Sequence, residues 1–312
     1  MNKFSLLVSA ALFTLAAQPA FAEYPEQPVE FVVPFPPGDL EDILTRMIAD
    51  KFQATYGVPA AVVNKPGGGG GPFPGAVAVA NAPADGYTIG SFVLDIPLVG
   101  PTIGIPALAN NPFEPLGIFV TYPFILATLA DAPYKNMDAL AAYAQNHKLV
   151  VGHFGAGATP TEITLATQSA FGFKWGGQAA FDALDCNTLA SGDADVINTT
   201  LQLVKPCLDK ITPLAAVTEK RIPSLPDVPT LGELKPALKL GTWTGLFVRR
   251  ETPQEARDKI IAVAEEVMKS DAAKKLSEQT GALIYWKNPE ESAAQITNDR
   301  ATLKAIAEMN NN

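Results

Sequence analysis

Three acidic side chains, Asp39, Glu41 and Asp42, follow a short apolar segment within four residues of sequence. Carboxylates this close together can act as general acid and base in a hydrolase when their pKa values are driven apart. Carboxylate oxygens are also the ligands that calcium prefers, although a calcium loop needs more of them at regular spacing. The spacing of Asp39 and Asp42 is equally typical of a pair that caps the start of a helix. The acidic segment therefore leaves acid–base catalysis, a calcium site and helix capping open.

Two segments have the pattern of a strand that leads directly into a helix. Residues 32–42 contain Pro36-Pro37-Gly38, and residues 152–161 are rich in glycine and end in Thr159-Pro160-Thr161. Unpaired N–H groups and the helix dipole favour an anion at such a helix start. Each segment is also compatible with an ordinary turn and cap. If the fold brings the two together, a carboxylate-bearing solute could be held between them.

The remaining residue types with reactive side chains are few. Cys186 and Cys207 are the only cysteines, and an even pair in an oxidising compartment favours a disulfide over two free thiols. His147 and His153 are the only histidines, which excludes a metal site built on several imidazoles. With no nucleophile elbow and no cofactor fingerprint, we expect no catalytic residue, no metal and no cofactor. A glycine-rich run at 66–71 resembles a phosphate loop only loosely and is interpreted as a flexible connection.

The first 22 residues have the pattern of a cleaved export signal. Lys3 gives a positive start, residues 4–17 are apolar, and Ala20-Phe21-Ala22 is a small-residue cleavage site. An uncleaved anchor is the alternative, but the apolar run is shorter than the roughly 20 residues that span a bilayer. The mature chain is therefore expected in the periplasm. Its 32 acidic and 23 basic side chains argue against nucleic acid or anionic lipid as a partner.

Strand-like and helix-like segments alternate along the mature chain, which predicts an α/β fold with parallel strands and crossover helices. The predicted strands are 29–34, 60–64, 87–93, 124–129, 149–154, 195–198, 211–217 and 283–287. The predicted helices are 39–56, 75–82, 137–146, 161–171, 253–270, 271–280 and 289–309.

No low-complexity linker separates one group of alternating strands and helices from the next, so the chain is expected to cross between two lobes more than once. One predicted lobe contains residues 23–122 and 243–312, and the other contains residues 123–242. This topology places a cleft at the hinge, next to the glycine-rich run.

Several short motifs occur in one order over nearly the whole mature chain. They are Val33-Pro-Phe-Pro-Pro-Gly38, Asp42, Asn64-Lys-Pro-Gly67, Ala84-Asp-Gly-Tyr87, the segment 177–195, Arg221-Ile-Pro-Ser-Leu-Pro-Asp-Val-Pro-Thr230 and Trp243-Thr-Gly-Leu-Phe247. Together they closely resemble the substrate-binding receptors of tripartite tricarboxylate transporters, the Bug proteins.

The resemblance implies a periplasmic-binding-protein-like Venus flytrap, with two α/β lobes joined by crossover strands. Such a receptor closes on a small polar or carboxylate ligand without changing it chemically and hands it to a membrane permease. We expect a monomer. The candidate ligand-binding residues are Pro37, Gly38, Asp39, Asp42, Asp95, Gly155, Ala158, Thr159, Thr161, Asn198 and Thr199.

The acidic segment departs from the family pattern, which has a second glycine and two small residues where this chain has Asp39, Leu40 and Glu41. Three carboxylates facing one site would repel a dicarboxylate. Either Asp39 and Glu41 turn outward, or the ligand is neutral, zwitterionic or cationic. Asp95 adds a carboxylate where the family often has a small polar residue. Two other functions stay open, a sensory receptor that signals occupancy to a partner and a carboxylate-based hydrolase.

Overall fold

The structure is a computed structural model that describes residues 23–67, 71–181 and 183–311. The predicted signal segment, residues 1–22, and residues 68–70 of the glycine-rich run lie outside the described residues. No described helix combines the length and the apolar character needed to cross a bilayer.

The strands of the described residues, in chain order, are β1 (Val29–Val33), β2 (Ala60–Asn64), β3 (Thr88–Val93), β4 (Phe113–Thr121), β5 (Phe124–Leu129), β6 (Val150–His153), β7 (Gly177–Ala180), β8 (Val196–Thr200), β9 (Ile211–Ala216), β10 (Trp243–Arg249) and β11 (Leu283–Lys287). The α-helices are α1 (Leu40–Tyr56), α2 (Phe73–Ala80), α3 (Asp95–Val99), α4 (Met137–Ala144), α5 (Thr159–Phe171), α6 (Cys186–Ala190), α7 (Leu201–Val204), α8 (Leu231–Leu234), α9 (Gln254–Met268), α10 (Asp271–Thr280) and α11 (Pro289–Asn310).

The strands form two sheets, and each sheet is the centre of one lobe. The first has the order β11-β4-β10-β3-β1-β2, and the second has the order β7-β6-β8-β5-β9. The predicted α/β, two-lobed fold is therefore confirmed. Parallel pairing occurs where a helix connects the strands, in β1–β2 and β1–β3 and in β6–β7 and β6–β8. The pairs that involve β4, β5 or β10 are antiparallel, contrary to the general expectation of parallel strands.

Helix α1 shows how the sequence builds the first lobe. Asp39 adopts an extended conformation at its N-terminus, and Gly57 ends it with a φ of 72°, a left-handed conformation that glycine adopts without steric cost. Leu44, Ile48 and Phe52 recur at helical spacing and are fully buried. Burial of each such side chain contributes about 1.5–3 kcal/mol, which holds α1 and the loop before it against the sheet.

The chain passes between the sheets twice. Strand β4 of the first sheet continues through Tyr122 into β5 of the second, and the segment after β9 returns at β10. The multiple crossing expected from the sequence is thus present, while the division of the lobes at residues 122 and 243 stays a prediction. In the second lobe, Cys186 and Cys207 form the predicted disulfide, with their Cα atoms 6.5 Å apart.

Candidate functional site

A cavity of about 820 Å³ lies between the two sheets. Its walls come from the loops after β1 and β3 in the first lobe and from the loops after β6 and β8 in the second. Four of the predicted ligand-binding residues line it, namely Asp39, Asp95, Gly155 and Ala158. The carboxyl ends of strands from both halves thus meet at one cavity, which is where ligands bind in open α/β sheets.

The loop after β1 is fixed by hydrogen bonds within itself. Gly38 has a φ of 95°, and its N–H donates to Asp42 Oδ2 at 2.9 Å. The N–H of Asp42 donates to Asp39 Oδ1 at 2.7 Å, so Asp39 and Asp42 form the expected helix cap. Pro37 and Gly38 are exposed and do not line the cavity.

Asp42 lies behind this loop and is turned away from the cavity. It accepts two hydrogen bonds from Arg46, at 2.8 and 2.9 Å, and one from Asn64 Nδ2 at 2.8 Å. Burial raises the pKa of Asp42, but the hydrogen bonds from Arg46, Asn64 and Gly38 outweigh burial and lower the pKa below its ordinary value. Asp42 therefore anchors the start of α1 to the end of β2 and is not placed to contact a ligand.

Glu41 is completely buried beneath the cavity wall. Its Oε2 accepts hydrogen bonds from Thr244 Oγ1 at 3.0 Å and from the Tyr122 hydroxyl at 3.3 Å, while its Oε1 has no partner among the described residues. Burial, and secondarily the negative charge of Asp39, raise its pKa well above the ordinary value. Glu41 therefore does not face the cavity, but it is buried in the core instead of lying on the outer surface.

Asp39 remains at the cavity surface instead of turning away from it. Burial raises its pKa, against the hydrogen bond from the N–H of Asp42. The three neighbouring carboxylates thus do not share one site. Within the described ranges, no group of three or more His, Cys, Asp or Glu side chains is placed to hold a metal ion.

The loop after β6 presents the start of α5 to the cavity. Gly155 has a φ of 146°, and its N–H donates to His153 Nδ1 at 3.1 Å, which orients the loop. Thr159 begins α5, and its Oγ1 donates to Asp95 Oδ1 at 2.8 Å. This hydrogen bond joins the second lobe to the first. Burial raises the pKa of Asp95, and the hydrogen bond from Thr159 opposes that increase.

The structure does not bring Thr161, Asn198 or Thr199 to the cavity. Thr161 is buried in the first turn of α5. Asn198 Nδ2 donates to Pro160 O at 3.1 Å, and Thr199 Oγ1 donates to Leu184 O at 2.5 Å. Asn198 therefore supports the first turn of α5, and Thr199 supports the segment before α6.

Two threonines outside the predicted ligand-binding set line the cavity and have unpartnered hydroxyls. Thr200 and Thr242 line it, are only 8% and 5% exposed, and their Oγ1 atoms have no hydrogen-bond partner among the described residues. Thr200 ends β8, whereas the predicted strand ended at residue 198. The polar run from Asn198 to Thr200 is the signal in the sequence that could have identified Thr200, because it directly follows the two residues that the resemblance implied. A buried hydroxyl without a partner is costly, which makes both residues candidates for a contact with a ligand.

The rest of the cavity wall is mainly apolar. Its aromatic members are Phe35, Phe73, Tyr122, Phe124 and Phe154, and its aliphatic members include Leu40, Val93, Val99 and Ile103. Phe124 and Phe154 meet edge to face with ring centroids 6.2 Å apart. No lysine, arginine or histidine is among the lining residues of the described chain.

Arg249 and Arg250, which could have offset the negative charge, are bound elsewhere. Arg249 donates to Ala82 O, and Arg250 donates to Asn111 O. The charged side chains at the cavity are thus Asp39 and Asp95.

Comparison with known proteins agrees with this architecture. Protein BugT of Bordetella pertussis is 26% identical over 273 residues, which are 81% of this chain and 81% of BugT. A Rhodopseudomonas palustris protein solved with adipate is 25% identical and has a TM-score of 0.75, with 93% of this chain and 99% of that chain covered. MatC from Rhodopseudomonas palustris, solved with bound malate, is 26% identical and has a TM-score of 0.66, with 92% and 99% covered.

The profile described as "Tripartite tricarboxylate transporter family receptor" matches residues 44–311, well over half of the sequence. The chain therefore belongs to the receptor family of the tripartite tricarboxylate transporters.

Proposed function

We propose that this protein is a periplasmic receptor that captures a small carboxylate between its two lobes and delivers it to the membrane permease of a tripartite transporter. The observation that carries the proposal is the cavity of about 820 Å³ between the sheets, with the unpartnered hydroxyls of Thr200 and Thr242 in its wall. Dicarboxylates occupy the related proteins solved with adipate and malate. The mature protein would begin near Glu23 after removal of the signal segment.

The geometry supports binding without catalysis. Of the three neighbouring carboxylates, Asp42 is held by Arg46 and Glu41 is buried, so Asp39 alone reaches the cavity. A pair of carboxylates at that loop is thus not available to act as acid and base on one substrate. We assign the contacts to the ligand to the loop from Gly155 to Ala158 and to Thr200 and Thr242.

The two threonines provide the test. In Thr200→Val and Thr242→Val, each ligand should bind about threefold to tenfold more weakly, because one net hydrogen bond contributes about 0.5–1.5 kcal/mol. The folded protein should lose no stability, since neither hydroxyl has a partner to lose. Isothermal titration calorimetry against short mono- and dicarboxylates, together with urea denaturation, measures both quantities.

Thr128→Val is the matched control. Its Oγ1 donates to Asp195 O at 2.8 Å, away from the cavity, so this variant should lose about 1 kcal/mol of stability and no affinity. If no carboxylate binds to the wild-type protein, or if a bound compound is turned over, the proposed function is wrong. If a carboxylate binds equally well to both cavity variants, the assignment of the hydroxyls is wrong.

A further inference from the structure

Among the described residues, those that line the cavity include negative side chains and neutral donors but no positive side chain. Asp39 and Asp95 line it, and no described lining residue is basic. A carboxylate ligand must therefore be held by N–H groups and hydroxyls. Each such position can stabilise one anionic group only if no carboxylate of the protein already occupies it.

Asp95 occupies the position at the start of α5. Its Oδ1 accepts the hydrogen bond from Thr159 Oγ1, on the first residue of that helix, at 2.8 Å. The residue belongs to the first lobe, after β3, so one lobe supplies a carboxylate to the helix start of the other. A second carboxylate of a ligand would have to lie against Asp95 at this end of the cavity, where two like charges at close range repel each other.

The remaining side-chain donors that we assign to the ligand are two threonine hydroxyls. The hydroxyls of Thr200 and Thr242 are more than nine-tenths buried and unpartnered, and neither belongs to a helix start already held by Asp39 or Asp95. The other walls are apolar, with Phe73, Phe124 and Phe154 among them. Such walls stabilise a hydrocarbon body in proportion to the apolar area that it buries.

We infer that Asp95 determines specificity by filling the place of a second carboxylate, so that the site selects solutes with one carboxylate and an apolar body. This inference rests on the proposed function as a carboxylate receptor. It distinguishes this chain from its relatives solved with adipate and malate, both of which carry two carboxylates.

The test compares acids of equal length that differ only at the far end, hexanoate with adipate and octanoate with suberate, by calorimetry at about pH 8. The wild-type protein should bind each monocarboxylate at least tenfold more tightly than its dicarboxylate. In Asp95→Asn, the dicarboxylates should gain at least tenfold in affinity, while the monocarboxylates change by less than about threefold. The amide oxygen of this variant still accepts the hydrogen bond from Thr159, so the contact between the lobes is preserved.

Asp131→Asn is the control, because it removes the same charge from an exposed position that does not line the cavity. This variant should leave the affinities for monocarboxylates and for dicarboxylates, and the ratio between them, unchanged. Equal or tighter binding of the dicarboxylates by the wild-type protein overturns the inference alone. The inference is also overturned if Asp95→Asn has the same ratio of monocarboxylate to dicarboxylate affinity as the wild type. If the wild-type protein binds none of the four acids or any other carboxylate, the proposed function fails and the inference fails with it.

Discussion

Asp39, Glu41 and Asp42 are neighbours in the sequence, yet their carboxylates have three different surroundings. Asp39 caps α1 at the cavity, Asp42 binds Arg46 behind the loop, and Glu41 is buried against Thr244. The capping pair could be predicted from its spacing, because a helix start needs acceptors at fixed positions. The burial of Glu41 could not, since its partners Tyr122 and Thr244 are 81 and 203 residues away in the sequence.

The raised pKa of Glu41 predicts a pH-dependent stability. The folded protein retains a proton that the unfolded chain releases above the ordinary glutamate pKa, so the free energy of unfolding should fall as pH increases through that range. Glu41→Gln removes the titration and keeps an oxygen that can accept from Thr244. Its stability relative to the wild type should therefore rise in urea denaturation as the pH increases above the ordinary glutamate pKa.

Glu26→Gln, at an exposed glutamate, serves as the control for the loss of one negative charge. Subtracting the change in the free energy of unfolding caused by Glu26→Gln leaves the change that is due to the buried carboxyl of Glu41. A constant difference between the Glu41→Gln and wild-type curves at every pH would contradict a raised pKa in the folded protein.

At the scale of the helices and strands, the sequence was most informative where a strand and its crossover helix follow each other. Strands β2 and β11 and helix α10 have the predicted bounds, because turn residues delimit them. Strands β4 and β10 were not predicted. Pro115 and Gly117 interrupt the pattern of β4, which is stabilised by pairing with strands far along the chain. Such pairing overrides local preference and cannot be seen in a single segment.

The disulfide between Cys186 and Cys207 joins α6 to the turn that precedes β9. It closes a loop with a sequence separation of 21, and cross-linking such a loop stabilises a protein by about 3 kcal/mol through the entropy of the unfolded chain. The double variant Cys186→Ala/Cys207→Ala should lose about this free energy in urea denaturation. Ligand affinity at low temperature should stay the same, because neither cysteine lines the main cavity.

Wild-type protein treated with a reductant provides the control for the loss of side-chain packing in the double variant. The reduced protein should be destabilised by a similar amount. An unchanged free energy of unfolding in both samples would mean that the cross-link does not constrain the unfolded chain.

In the whole molecule, the lobes are connected by two chain crossings and by α11. The N–H of Ile118 in β4 donates to Ser292 Oγ near the start of α11, and Asn310 at its end donates to Glu162 O in α5. One helix therefore packs against both lobes. The two-lobed arrangement could be predicted from the alternation of strands and helices. The contacts of α11 with both lobes could not be predicted, because the apolar periodicity of a helix does not specify where the helix packs.

The hydrogen bond from Thr159 to Asp95 links the lobes at the cavity and should favour the closed arrangement before a ligand binds. In Thr159→Val, the ligand-free protein should therefore have a larger radius of gyration in small-angle X-ray scattering. Saturating ligand should return it to the wild-type closed value. Its affinity should fall about threefold to tenfold, because the binding-competent state is populated less. Thr167→Val, which removes a hydroxyl bonded within α5, should change neither quantity. If Thr159→Val has the dimensions and affinity of the wild type, this contact does not bias closure, and other contacts between the lobes hold the arrangement, including those of α11 and the hydrogen bonds from Lys205 to Glu278 O and Gln279 O.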